Sequence, residues 1–126
     1  MSLAHILVVD DELGVRASLR MILEYADYEV TEASSGGEAL EVAETVTTDL
    51  VICDINMPGM DGIQTVESLL RTPHMRQIPV IFISGLASDE QRRRIAALGA
   101  FDLLTKPFSI HELLELVRKY LDIPGA

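Results

Sequence analysis

Leu50-Val51-Ile52-Cys53-Asp54-Ile55-Asn56-Met57-Pro58-Gly59-Met60-Asp61-Gly62 joins a short aliphatic run to an acid and then to a turn. The run Leu50 to Cys53 shows no polar alternation, so both of its faces must be covered, as in a parallel sheet packed between helices. Ile6 to Val9, Val80 to Ile83 and Phe101 to Leu104 read the same way, as buried strands. Tyr28 to Ala33 instead alternates polar and apolar residues and suits a sheet edge. Between these segments lie amphipathic patterns at helical spacing: Val15, Leu19, Ile22 and Leu23, then Leu40 and Ala43, then Ile63, Val66 and Leu70. Ile95 and Leu98 make a short fourth. The fifth carries Ile110, Leu114, Val117 and Leu121, opened by Ser109 with Glu112 three residues on as a capping box.

Five strand–helix repeats predict an α/β fold, a doubly wound five-stranded parallel sheet of (βα)5 type. In such sheets the functional crevice lies beyond the carboxyl ends of the strands. The residues that follow the apolar runs are Asp10 and Asp11, Asp54, Ser84 and Lys106. Three carboxylates, a hydroxyl and a lysine, distant in sequence, are therefore expected to converge.

Clustered carboxylates repel one another and resist ionisation unless a cation neutralises them. Magnesium, which takes few protein carboxylates, retained waters and a phosphate oxygen, suits Asp10, Asp11 and Asp54 better than calcium or zinc. His5, His74 and His111 are dispersed and have no ligand spacing. Phosphoryl transfer needs chiefly positioning and charge neutralisation, so a carboxylate beside the metal can attack phosphorus. Asp54 is the candidate nucleophile, Lys106 a point charge for the phosphoryl group, and Ser84 a hydroxyl donor. Gly85 leaves room for access. Each piece also has a plain structural reading: an acidic helix start for Asp10-Asp11-Glu12, a turn aspartate for Asp54, a helix cap for Ser84 and a surface lysine for Lys106.

The chain has 126 residues, 48% apolar and 24% charged, which suits one globular domain spanning 1–126 with no output domain following. A net charge of −10 repels nucleic-acid phosphates and anionic lipid. The longest apolar run, Ile78 to Ile83, falls far short of the roughly 20 residues that cross a bilayer. No direct nucleic-acid or membrane partner is expected. Cys53, the single cysteine, sits in an apolar run as a packing residue, which fits a reducing, cytoplasmic setting. Arg92-Arg93-Arg94 reads as a solvated helix face or a partner contact. Met1-Ser2-Leu3 reads as native or a remnant, and 122–126 as a tail.

Four motifs in order, Asp10-Asp11-Glu12, Asp54 with Met57-Pro58-Gly59-Met60-Asp61-Gly62, Ser84-Gly85, and Lys106-Pro107-Phe108, closely resemble the receiver domain of two-component response regulators. The resemblance covers nearly the whole chain. It implies flavodoxin-like strand order 2-1-3-4-5, phosphorylation of Asp54, and Mg²⁺ held by Asp11, Asp54 and the Asn56 carbonyl with Asp10 acting through water. It further implies that Lys106 and Ser84 contact the phosphoryl group, that the Lys106-Pro107 bond is cis, and that the donor is a phosphohistidine on a sensor histidine kinase or phosphotransfer protein. An output domain or downstream protein would receive the signal. The chain would catalyse only its own phosphorylation and dephosphorylation.

One position departs from the family. Three residues before the lysine a Tyr or Phe is usual, and here Leu103 stands there; Phe101, on the same side of the strand, is the alternative switch residue. Two other functions compete. A receiver-like binding module working without phosphorylation would exploit the Leu103 departure. A phosphohydrolase of the haloacid-dehalogenase type would need an acid two residues after its nucleophile, where this chain has Asn56.

Overall fold

The computed structural model describes residues 3–99 and 101–121. The expectations for the extreme N-terminus and for 122–126 therefore lie wholly or partly outside the described residues. Strand β3 (Leu50–Asp54) is buried at all five positions. Its neighbours are β1 (His5–Val9) and β4 (Val80–Ser84), and β2 (Glu29–Ala33) and β5 (Asp102–Thr105) close the sheet in order β2-β1-β3-β4-β5, with every pairing parallel. Five helices connect and follow them: α1 (Leu13–Tyr25), α2 (Gly36–Thr45), α3 (Gly62–Leu70), α4 (Asp89–Leu98) and α5 (Ile110–Leu121).

The period of two along each strand splits the core in two. Ile6, Val8, Ile52, Ile81 and Ile83 face Leu19 and Leu23 of α1 and Leu113 and Val117 of α5. Leu7, Val9, Val51, Cys53 and Phe82 face Ala39 and Ala43 of α2, Ile63, Val66 and Leu69 of α3, and Ile95 of α4. Cys53 is fully buried, as its neighbours in the run imply, and burial pushes its thiol up, away from the thiolate. Among the described residues no helix is long and apolar enough to cross a membrane.

Two expectations need correction. The last strand is Asp102–Thr105, one residue later than Phe101 to Leu104, and only Leu104 in it is buried. Its place at the sheet edge is the reason: strand order leaves β5 a neighbour on one side only. In α5, Ile110 is 58% exposed and the buried residues are Leu113 and Val117, with Leu114 and Leu121 packed at the margin. Ser109 and Glu112 do form the expected reciprocal cap, at 2.9 and 3.0 Å.

Candidate functional site

The carboxyl ends of β1, β3 and β4 bring the acids and the hydroxyl together. Asp54 and Ser84 are still paired within the sheet, opposite Ile83 and Thr105, so their backbones are fixed by the ladder. Asp10 follows β1, its N–H donating to Ala33 O at 3.1 Å, and the Arg16 guanidinium donates to Asp10 O at 2.7 Å. Arg16 is itself held by Glu32 of β2 at 3.1 Å. Beyond β3 the chain turns through Gly59, whose φ of 74° is left-handed, into a capping box between Asp61 and Gln64. Gly62 donates to Ile55 O at 2.8 Å. A Cβ on Gly62 would lie 2.0 Å from Asp54 O, so glycine is what lets α3 start against the backbone of Asp54.

Asp10, Asp11 and Asp54 each offer one carboxylate oxygen, and all three lie within 4.8 Å of one another. Asp10 and Asp54 are buried and Asp11 is exposed at the mouth. Lys106 Nζ stands 3.7 Å from Asp10 Oδ2 and 3.7 Å from Asp54 Oδ1. Its backbone N–H donates to Ser84 O at 2.9 Å, and the Lys106-Pro107 bond is cis, as the resemblance implies. Burial, and then the charge of Asp10, push the Asp54 carboxyl up to about 6 against the pull of Lys106. Asp10 is raised as well, chiefly by burial, although its Oδ1 accepts from Glu12 N at 2.8 Å. Its other oxygen, Oδ2, is buried and accepts no hydrogen bond. An orphaned buried acceptor among three crowded acids is the donor set of a hard divalent cation, and the residues fit Mg²⁺ on that ground.

Ser84 Oγ accepts from Leu86 N at 3.2 Å and from Asn56 Nδ2 at 3.3 Å. Space beside Gly85 is open, as expected of an access route. The histidines are spent elsewhere: His5 on Thr31 and Glu29, His74 on Ala43 O, His111 on Glu115. Every site residue singled out from sequence thus lies at one end of the sheet. Sequence reasoning missed Arg16, whose signal was a lone cation in the acidic entry to α1, and Gln91, whose Nε2 donates to Asn56 Oδ1 at 3.1 Å. Within the basic run, Arg94 reaches Asp61 and Glu67 at 3.3 and 3.6 Å, tying α4 to α3, while Arg92 and Arg93 stay exposed.

The family model for the response regulator receiver domain matches residues 6–118. The chain belongs to that family. The receiver domain is 39% identical over 119 residues to response regulator MprA of Mycolicibacterium vanbaalenii, covering 93% of this chain and 50% of that protein. It is 40% identical over 121 residues to sensor kinase CckA of Brucella abortus, covering 94% of this chain and 13% of the kinase. The chain spans about half the length of the curated regulators it matches, such as YkoG of Bacillus subtilis at 52%. Among solved structures, the chemotaxis protein CheY4 of Vibrio cholerae superposes on the receiver domain with a TM-score of 0.90 at 32% identity, covering 95% of this chain and 100% of that one.

Proposed function

We propose that this receiver domain accepts a phosphoryl group on Asp54 from a phosphohistidine of a sensor histidine kinase or phosphotransfer protein, and that the change of state controls an output domain or downstream protein. The observation that carries the reading is Asp54 itself: a buried carboxylate facing Asp10, with Lys106 Nζ 3.7 Å from its oxygen. An Asp54 oxygen forms the new O–P bond as the P–N bond of the phosphohistidine breaks. The departing imidazole nitrogen keeps that electron pair and takes up a proton from water. With a pKa near 6, Asp54 is ionised and nucleophilic at neutral pH.

Asp11, Asp54 and the Asn56 carbonyl would hold Mg²⁺, with Asp10 acting through water, and the ion when bound supplies charge neutralisation for the phosphoryl oxygens. Lys106 offers its ammonium to the transferred group, and Ser84 its hydroxyl proton. Gly62 and Arg16 fix the backbones that carry Asp54 and Asp10. The domain, spanning 1–126, acts in the cytoplasm and catalyses only its own phosphorylation and dephosphorylation. Its net charge of −10 supports a protein partner over nucleic acid.

Beryllofluoride, a phosphoryl mimic, tests this cheaply. The parent should bind it only with Mg²⁺, and Asp54→Ala should not bind it. Binding that survives the substitution, or needs no metal, would overturn the assignment.

A further inference from the structure

The side chain of Asn56 is held at both ends. Its Nδ2 donates to Ser84 Oγ at 3.3 Å, and its Oδ1 accepts from Gln91 Nε2 at 3.1 Å. Gln91 is the third residue of α4 and closes that helix's capping box: its Oε1 accepts from Ser88 N at 2.9 Å, and its own N–H donates to Ser88 Oγ at 3.1 Å. Side-chain hydrogen bonds therefore run without a gap from Ser84, beside the phosphoacceptor, to the cap of α4.

We infer that Gln91 is a positioning residue for the phosphoacceptor site, holding the Asn56 amide against Ser84 and so restraining the hydroxyl that a phosphoryl group would recruit. The inference rests on Asp54 being the phosphoacceptor. A hydroxyl has two lone pairs, and those of Ser84 are taken by Leu86 N–H and Asn56 Nδ2. Its proton is what it has left to give. Turning that proton toward an oxygen on Asp54 swings the lone pairs and draws Ser84 off Asn56. An amide pinned by Gln91 opposes the swing, whereas one free at its far end can follow. Linkage makes the effect reciprocal: occupying the site loosens Gln91 from Asn56 and so reaches the cap of α4. This path needs no aromatic ring, and the position three residues before Lys106, where the family carries one, is Leu103.

The experiment is a beryllofluoride titration with Mg²⁺ on the parent, Gln91→Met, Ser88→Ala, Asn56→Ala and the Asn56→Ala/Gln91→Met double variant. Losing one restraining hydrogen bond should tighten binding about two- to tenfold in Gln91→Met. Ser88→Ala weakens the same helix cap but leaves the Gln91 amide on Asn56, and should shift binding by much less than Gln91→Met does. Asn56→Ala should tighten binding, and adding Gln91→Met should then change nothing further. Unchanged or weaker binding in Gln91→Met, an equal shift in Ser88→Ala, or a full Gln91→Met effect in the Asn56→Ala background would each overturn the role of Gln91. Failure of the parent to bind is a different result, which overturns the phosphoacceptor reading and this inference together.

Discussion

Asp54 carries an electrostatic cost that the site is built to cancel. Folding raises its pKa from 3.8 to about 6, so the folded state holds this proton more tightly than the unfolded chain does. The Asp54 contribution is therefore most favourable below the unfolded value, is lost as pH rises toward 6, and stays lost above it. At pH 8 without metal, Asp54→Asn should be more stable than the parent by about 1–3 kcal/mol, and the gap should close near pH 4. Thermal melts across pH would show this, and a gap that widens on acidification would contradict it. Magnesium competes with the same protons, so its affinity for the parent should climb as pH rises through 6, measurable by calorimetry. At this scale the sequence reveals the acids, because Asp10 and Asp54 directly follow apolar runs, with Asp11 next to Asp10, and so mark strand ends that a parallel sheet brings to one crevice. It hides Gln91, since Ser88 and Gln91 at capping-box spacing announce what Oε1 does and leave the partner of Nε2 unspecified.

Elements set the tolerances around that cluster, and two glycines separate close approach from mere flexibility. Gly62→Ala drives a Cβ to 2.0 Å from Asp54 O and 2.9 Å from Ile55 Cα, backbone atoms that cannot yield without moving Asp54. A loss of roughly 2–4 kcal/mol is expected in denaturant melts, together with weaker Mg²⁺ binding. Gly14→Ala, in the first turn of α1 with no atom within 4 Å of the new Cβ, should instead stabilise by about 0.5–1 kcal/mol. Leu103 is the second test. It is half-buried and lines a hollow of about 240 Å³ with Arg92, Ile95, Ala96, Gly99 and Phe101. Phe101 turns its ring edge to the buried Phe82, 6.3 Å between centroids, and sits on the same side of the sheet as Leu103. Leu103→Tyr should therefore enlarge the beryllofluoride-induced NMR shifts of α4, because a ring distinguishes the two states by more than leucine does. A smaller or equal response would leave the work to leucine or to the Asn56–Gln91 path. The central strands are plain in the sequence because runs buried on both faces stay apolar until the carboxyl end, where Asp54 and Ser84 stand. Edge strand β5 is blurred, since one-sided cover tolerates Asp102 and Thr105, and the face of α5 is blurred because Leu113, Leu114, Leu116 and Val117 offer two overlapping apolar rows.

For the molecule as a whole, two cores clamp a sheet whose carboxyl end is left to the chemistry. Both cores are built of apolar side chains, mostly aliphatic with Phe82 and Tyr28 among them, while Asp10, Asp54 and Ser84 are polar groups buried at the carboxyl end of the sheet. That division lets the fold bear the burial of charge. It also explains why four short motifs far apart in sequence identify the family: each is the end of a different strand, and only the sheet order makes them neighbours. What lies between the motifs, Arg16 and Gln91 above all, is set by packing that no motif records. The central claim is that Asp54 takes the phosphoryl group. Intact-mass measurement after incubation with a small acyl phosphate tests it directly: the parent should gain a single hydroxylamine-labile phosphoryl group only when Mg²⁺ is present, and Asp54→Asn should gain none. Full, acid-stable incorporation in Asp54→Asn, or incorporation in the parent without Mg²⁺, would contradict it.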